Sequence, residues 1–197
     1  MRPILIVRAA RAAAALCLLG STSVCADEDL QARLDKGEIV ITTRPVAGSN
    51  LPEATVQAVI AAPPERLWRI LEDCGNYQKN MQRVVRSREL SRQGQKVVCE
   101  VEIGLPFPLA NLVGVTEATH VVGPPKWSRT WHLLRGDYHV NDGSWTLTRF
   151  QDDPKRTLAV YRLHAVPKSL VPDALLRKGQ RDTLPKLMQH LRDITSD

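Results

Sequence analysis

Near its C-terminus the chain reads Val171-Pro-Asp-Ala-Leu-Leu-Arg-Lys-Gly-Gln-Arg-Asp-Thr-Leu-Pro-Lys-Leu-Met-Gln-His-Leu-Arg-Asp-Ile194. The apolar residues of this stretch recur at helical spacing, at Leu176, Leu184, Leu187, Met188, Leu191 and Ile194. Pro172 and Asp173 are typical of a helix start, where a missing N–H costs nothing and a carboxylate meets the positive end of the dipole. The stretch predicts a long amphipathic helix, which is stable only if an apolar surface lies opposite it.

The N-terminus has the pattern of a secretory signal peptide. Three arginines precede or border the apolar run Ala12–Leu19, and small residues lie just before an acidic segment. The run is shorter than the roughly 20 residues that span a bilayer. We expect a signal peptide at 1–26, cleavage between Ala26 and Asp27, and a single domain at 27–197.

The charge of the chain does not indicate a nucleic-acid partner. The chain has 27 basic and 21 acidic residues, a net charge of +6, and the predicted signal peptide removes three of the arginines. The remaining basic residues are scattered along the sequence rather than clustered on one predicted face. A mature length of about 170 residues suits one domain with a sizeable core.

Two cysteines, Cys74 and Cys99, remain after the predicted cleavage. In an oxidising compartment they can form a bridge that closes a loop of about 25 residues and stabilises by about 3 kcal/mol. Cys99 also shares a strand face with Val97, Val101 and Ile103, which is typical of a buried free thiol. The sequence is therefore compatible with a disulfide between Cys74 and Cys99 and with a buried free thiol at Cys99.

Between the two termini the chain predicts short strands joined by turns. Alternating apolar residues place strands at 38–44, 53–61, 84–90, 96–103, 113–122, 127–134, 144–150 and 157–166. Pro63 and Pro64 end the second strand and open a short helix, and a second short helix or a loop follows at 77–83. Asn141-Asp142-Gly143 and residues 151–154 are typical of turns. We predict an α+β fold in which a curved antiparallel sheet surrounds the C-terminal helix.

This arrangement resembles the START-like, helix-grip (SRPBCC) superfamily, which includes START lipid-transfer domains, polyketide cyclases and coenzyme Q-binding proteins. The resemblance extends from Gly37 to Ile194 and rests on the segment 61–73 with Tyr77, Leu105-Pro-Phe-Pro-Leu109, Gly136-Asp137, Asn141-Asp142-Gly143-Ser-Trp145, Thr157-Leu-Ala-Val-Tyr161 and Val171-Pro172. The bacterial coenzyme Q-binding START-type proteins are the most similar branch. The resemblance implies a cavity between sheet and helix for a hydrophobic molecule, a periplasmic location and no invariant catalytic residues.

Aromatic and apolar side chains on alternate strand positions predict the lining of that cavity. The predicted ligand-binding residues are Cys99, Val101, Trp131, Trp145, Leu147, Tyr161 and Leu163 on strands, with Gln180, Thr183, Leu184 and Leu187 on the helix. Gln180 and Thr183 favour a cavity, because a dry core would have hydrocarbon at these positions. The alternative is that the aromatic rings fill the core. Arg129 is interpreted as a surface arginine with a packed stem, or alternatively as a buried cation for a ligand head group.

The titratable residues show no metal-binding or catalytic motif. We expect no metal and no cofactor. His132 and His164 lie within predicted strands, either as ordinary histidines or as acid–base groups facing the cavity. Glu100 and Glu102 share a strand face opposite Cys99, so we expect them to face solvent.

The apolar loop around Phe107 and Leu109 contains two prolines that restrict its backbone. Three interpretations are open: a lid over the cavity, a tip that touches a membrane, or a buried corner of the sheet.

We expect an exported monomer that binds a hydrophobic small molecule, a lipid. We also expect it to carry this lipid between membranes and to contact anionic membranes transiently. Two alternatives remain. One is a polyketide cyclase or aromatase that uses the same cavity, and the other is a solidly packed domain that acts through a partner surface.

Overall fold

Eight antiparallel strands form one curved sheet in this computed structural model, which describes residues 21–168 and 171–196. The strands are β1 (Val40–Arg44), β2 (Glu53–Ile60), β3 (Val84–Gln93), β4 (Lys96–Ile103), β5 (Leu112–Val121), β6 (Lys126–Gly136), β7 (Tyr138–Phe150) and β8 (Asp153–Pro167). The helices are α1 (Ser21–Asp35), α2 (Pro64–Leu71), α3 (Tyr77–Asn80) and α4 (Asp173–Thr195), with a 3-10 turn at Cys74–Asn76. The predicted α+β helix-grip fold is confirmed.

The strand order in the sheet is β1-β2-β8-β7-β6-β5-β4-β3, and every pair of neighbours is antiparallel. Strands β3 to β8 form the predicted meander of hairpins. The first hairpin joins the meander through β2 and β8, where Val56 lies opposite Tyr161. The first hairpin therefore borders the last strand of the chain.

Helix α4 packs its apolar stripe against one face of this sheet. Leu184, Leu187, Met188 and Leu191 are buried in a cluster that also contains Val56 and Ile60 of β2 and Leu67 and Leu71 of α2. Burial of a leucine or methionine side chain stabilises a fold by about 1.5–3 kcal/mol, so four such residues hold the C-terminal half of α4 firmly. The N-terminal half of α4 has no comparable buried stripe.

The opposite face of the sheet carries a smaller cluster under α1. Leu34 packs there with Val40, Val59 and Phe150, and successive strand residues alternate, so Val59 points away from the α4 side. Helix α1 spans the predicted cleavage position. Residues 1–20 lie outside the described residues, and the signal peptide stays a prediction.

The turn predicted at Asn141-Asp142-Gly143 is wrong, because these residues lie inside β7. Gly143 is opposite Trp131 in the sheet, and a Cβ atom at Gly143 would lie 2.3 Å from a carbon of the Trp131 ring and 2.4 Å from the carbonyl oxygen of Arg162. Gly143 leaves room for the Trp131 ring to pass over the backbone of β7, and it does not form a turn. The chain reverses instead at Gly136, whose φ of 133° few other residues adopt.

A disulfide joins Cys74 to Cys99, which decides between the two interpretations of these cysteines. Their Cα atoms are 6.3 Å apart, and the bridge connects the 3-10 turn to β4. Tyr77 and Val97 pack around the buried sulfur atoms. The bridge therefore fixes the start of α3 against the sheet, which places Tyr77 and Met81 at one wall of the interior.

Candidate functional site

A cavity of about 600 Å³ lies between the concave face of the sheet and α4. This volume falls within the range of about 300–1,000 Å³ that is typical of small-molecule sites. Its walls come from β3 to β8, the segment after α3, the loop at 104–111 and residues 175–187 of α4. The hypothesis of a solidly packed domain is therefore wrong.

Nine of the eleven predicted ligand-binding residues line this cavity. They are Val101, Trp131, Trp145, Tyr161 and Leu163 on the sheet, with Gln180, Thr183, Leu184 and Leu187 on α4. The two polar helix residues, Gln180 and Thr183, are half-buried and face the cavity. Contact of these nine residues with a ligand stays a prediction.

The other two predicted residues, Cys99 and Leu147, do not line the cavity. Cys99 is fully buried and its sulfur is used in the disulfide to Cys74. Leu147 is also fully buried, because α2 covers β7 at this level and fills the space that a cavity would need. The alternation of strand residues gave the correct face for both residues, but it could not indicate how far along the sheet the cavity extends.

Three aromatic rings form a continuous wall inside the cavity. The Tyr161 ring stacks on Trp131 with centroids 5.8 Å apart and lies 4.5 Å from the Trp145 ring. The Trp131 indole N–H donates a hydrogen bond to the side-chain oxygen of Asn141 at 3.3 Å. Burial raises the pKa of Tyr161, and burial followed by the charge of Asp137 raises the pKa of Tyr138 to about 12. Both tyrosines therefore keep their hydroxyl protons and can donate to a ligand.

Arg129 lies in the cavity wall, so its interpretation as a surface arginine is wrong. Only 3% of the residue is exposed, and one of its terminal nitrogens, Nη1, lies 2.7 Å from Nε2 of His120. The other, Nη2, donates to Sγ of Cys99 at 3.2 Å, and the guanidinium carbon lies 5.8 Å from the centroid of the Tyr77 ring. The structure thus matches the alternative interpretation, a buried cation.

His120 is a buried partner of this arginine that the sequence did not reveal. Burial, followed by the positive charges of Arg129 and Arg92, lowers the pKa of His120 to about 4, although Glu89 acts in the opposite direction. The imidazole is therefore neutral at neutral pH, and its unprotonated Nε2 accepts the hydrogen bond from Arg129. The Trp68 ring meets the imidazole edge-on with centroids 5.0 Å apart.

The two histidines considered as acid–base groups lie away from the cavity. His132 is exposed, and His164 lies 3.0 Å from the hydroxyl of Ser49 outside the lining. Glu100 and Glu102 form ion pairs with Arg88 and Arg86 of β3. This is expected for side chains on the outer face of the sheet, away from the cavity. The acid–base role considered for the histidines therefore has no geometric support.

The loop at 104–111 forms one side of the cavity mouth. Leu105, Pro106 and Leu109 line the cavity, whereas Phe107 is 95% exposed, so the interpretation as a buried sheet corner is wrong. Leu175 of α4 is also a lining residue and is 44% exposed. The mouth therefore presents apolar side chains to solvent from two separate elements.

Across residues 21–168 and 171–196, no three histidine, cysteine or acidic side chains are grouped as metal ligands would be. No helix in the part of the chain that the structure describes is both long and apolar enough to span a membrane.

Comparison with known proteins identifies a matching family and solved structures of the same fold. The family model described as polyketide cyclase / dehydrase and lipid transport matches residues 60–192. A STAR-related lipid transfer protein from Xanthomonas axonopodis has the same fold, with 21% identity over 81% of this chain and 94% of that one, and a TM-score of 0.70. Human StAR-related lipid transfer protein 5 superimposes with a TM-score of 0.67 at 13% identity, over 88% of this chain and 93% of its own.

An enzyme has a similar fold. The ZhuI aromatase/cyclase from Streptomyces sp. R1128 matches with 15% identity, a TM-score of 0.54, and coverage of 72% of this chain and 88% of that one. No curated protein matches the chain by sequence. Because all these identities are below 25%, the structural matches establish the fold and leave the ligand open.

Proposed function

The chain belongs to the polyketide cyclase / dehydrase and lipid transport family, and we propose that it is an exported protein that holds a hydrophobic small molecule, a lipid, in the cavity under α4. The observation that carries this proposal is the cavity itself, about 600 Å³ in volume and lined mostly by apolar and aromatic side chains. The solved structures named as lipid transfer proteins support the same proposal.

Binding would be driven by removal of apolar surface from water. Each 100 Å² of apolar ligand or wall surface that loses its water contributes about 2.5 kcal/mol. The hydroxyls of Tyr138 and Tyr161 and the amide of Gln180 supply a few polar contacts that orient the ligand. The ligand therefore needs a large apolar body with few polar groups.

Transfer between membranes would use the mouth of the cavity. Phe107 is almost fully exposed at the tip of its loop, and an exposed aromatic side chain at an apolar rim favours contact with a lipid surface. Movement of this loop or of the N-terminal half of α4 would admit the ligand. The signal-peptide pattern at 1–26 supports export, and the Cys74–Cys99 disulfide is typical of an oxidising compartment.

A cavity-filling variant tests the proposal. Thr183→Trp places an indole in the cavity from α4, whereas Arg181→Trp places the same side chain on the exposed side of that helix. We expect delipidated wild-type protein and the Arg181 variant to bind a pyrene-labelled acyl probe equally. The Thr183 variant should bind at least about tenfold more weakly, a loss of about 1.4 kcal/mol. Equal binding by all three proteins would place the probe outside the cavity and refute the proposal.

The cyclase alternative receives less support from the geometry. A cyclase needs positioned groups that accept and donate protons near neutral pH. Neither histidine considered for this role reaches the cavity, and the raised pKa values of the lining tyrosines make them poor proton acceptors at neutral pH. We therefore propose binding rather than catalysis.

A further inference from the structure

We propose that the ligand carries an anionic oxygen group, a carboxylate or a phosphate, and that Arg129 binds this group at the closed end of the cavity. The inference rests on the proposed binding function and names the chemical class of its ligand. It predicts an amphipathic acid whose charged group enters first and whose apolar body extends towards the mouth.

Arg129 is a buried cation without a counter-charge in the described part of the chain. Nine ion pairs occur in the described part of the chain, and Arg129 takes part in none of them. Its contacts are a neutral imidazole, a disulfide sulfur and the ring of Tyr77. A buried charge that lacks a partner is strongly unfavourable. An anionic ligand would remove this cost, and a neutral one would not.

The guanidinium of Arg129 has N–H donors that its contacts with the protein leave unused. An arginine has five N–H groups in a fixed planar fork, and the contacts with His120 and Cys99 use two of them. Arg129 lines the cavity, so donors that these two contacts leave unused are available to a ligand there. This fork matches the two oxygens of a carboxylate or phosphate, and such charge-assisted pairs are about twice as strong as neutral ones.

Arg129 lies far from the mouth of the cavity. Arg129 lies near the start of β6. The loop at the mouth joins β4 to β5 at the edge of the sheet where Gly114 pairs with Gly136, the last residue of β6. Gly136 is seven residues from Arg129, and therefore about 23 Å away along the strand.

His120 and the disulfide contact Arg129, Trp68 contacts His120, and the disulfide, His120 and Trp68 are all buried and absent from the cavity lining. The cavity therefore ends at the arginine. The wall between the two ends carries Trp131, Tyr161 and other apolar side chains. One polar end and a long apolar middle fit an amphipathic molecule.

A series of matched hexadecyl compounds tests this inference. Palmitic acid, hexadecyl phosphate and hexadecanol contain the same number of carbon atoms in one saturated chain and differ in the head group. We expect the better of the two acids to displace a pyrene-labelled acyl probe from wild-type protein at least about tenfold more effectively than hexadecanol. The ranking of the two acids identifies the head group, and acetate or inorganic phosphate alone shows whether the apolar body is needed.

Two variants assign the preference to the arginine. Arg129→Gln should bind the acids and hexadecanol about equally, whereas Arg135→Gln, which changes an exposed arginine of the same strand, should keep the wild-type preference. Arg129→Lys keeps the charge and should keep part of the preference. If the glutamine variant fails to fold, carbon-13 NMR of wild-type protein with carboxyl-labelled palmitic acid gives a second measurement. The pKa of the bound carboxyl should lie below the usual value of about 4.

Each outcome supports or overturns the inference. Equal binding of acid and alcohol by wild-type protein would overturn it and leave the proposed lipid binding intact. A preference for acids that survives in Arg129→Gln, or a bound carboxyl whose pKa is not lowered, would also overturn it. If none of the hexadecyl compounds binds, both the inference and the proposed function fail.

Discussion

Replacing Gly143 with alanine should destabilise the protein and disturb the cavity wall. The added Cβ atom would lie 2.3 Å and 2.8 Å from two carbons of the Trp131 ring and 2.4 Å from the backbone oxygen of Arg162. Favourable carbon contacts are about 3.5–4.0 Å long, so the new atom is more than 1 Å too close on both sides. The ring can move only by leaving the wall it shares with Tyr161, and the backbone oxygen can move only by distorting the pairing of β7 with β8.

Overpacking of this kind costs about 1–3 kcal/mol, and the backbone contact places Gly143→Ala near the upper value. For a chain of this length, about 3 kcal/mol corresponds to a fall in Tm of about 6–12 °C. Gly179→Ala is the matched control, because nothing lies within 4 Å of a Cβ atom there. It should stabilise α4 by about 0.5–1 kcal/mol.

Thermal unfolding followed by circular dichroism measures both changes, and tryptophan emission reports the position of Trp131. If Gly143→Ala is as stable as the wild-type protein, the indole does not cross the backbone of β7 at this point. Asn141-Asp142-Gly143 would then form the turn that its sequence suggests, and the aromatic wall described here would be wrong.

Three further predictions follow from other parts of the structure. Phe107→Ser should slow lipid transfer between vesicles severalfold without changing equilibrium binding, because the side chain touches solvent and not the cavity; Val121→Ser, at an exposed site on β5, is the control. Replacing Cys74 and Cys99 with alanine should lower the free energy of unfolding in urea by about 3.5 kcal/mol, the loop-closure value for a separation of 25 residues. His120 should stay neutral down to about pH 4, well below its usual pKa of about 6.5. The unfolded chain then binds a proton that the folded chain does not, so stability should fall by up to about 3 kcal/mol between pH 6.5 and 4.

Each of these predictions has a contrary result. Slower transfer by both the Phe107 and Val121 variants would indicate a general effect of surface apolar residues rather than a specific role of Phe107 in membrane contact. An unchanged free energy of unfolding without the two cysteines would mean that the bridge does not form in the purified protein. An imidazole signal of His120 that titrates near pH 6.5 in NMR spectra would show that it is not buried beside Arg129.

The sequence predicted the elements of the fold because their signals are local. Helical spacing identified α4, and Pro63 with Pro64 placed the start of α2 correctly. The error at Asn141-Asp142-Gly143 has a physical cause, since a glycine that permits a turn also permits a large ring to cross the backbone. Only the pairing of β7 with β6, a contact between distant residues, distinguishes the two cases.

The sequence predicted which side chains face the cavity, but it did not predict how far the cavity extends along the sheet. Strand alternation and two polar residues in the stripe of α4 indicated which side chains face inwards, and nine of them line the cavity. The pairing of Cys99 with Cys74 and the contact of Arg129 with His120 join residues 25 and 9 positions apart. Neither contact has a periodic signal. The sequence therefore left Arg129 open between a surface arginine and a buried cation, and only the placement of β4, β5 and β6 side by side decided between them.

The central claim is that the cavity under α4 holds a hydrophobic molecule. The most direct measurement is native mass spectrometry of the protein purified from an exporting host, followed by solvent extraction and identification of what is released. We expect an added mass that disappears on extraction and returns on incubation with total membrane lipid. A protein that shows only its own mass, before and after incubation with that lipid, would contradict this claim.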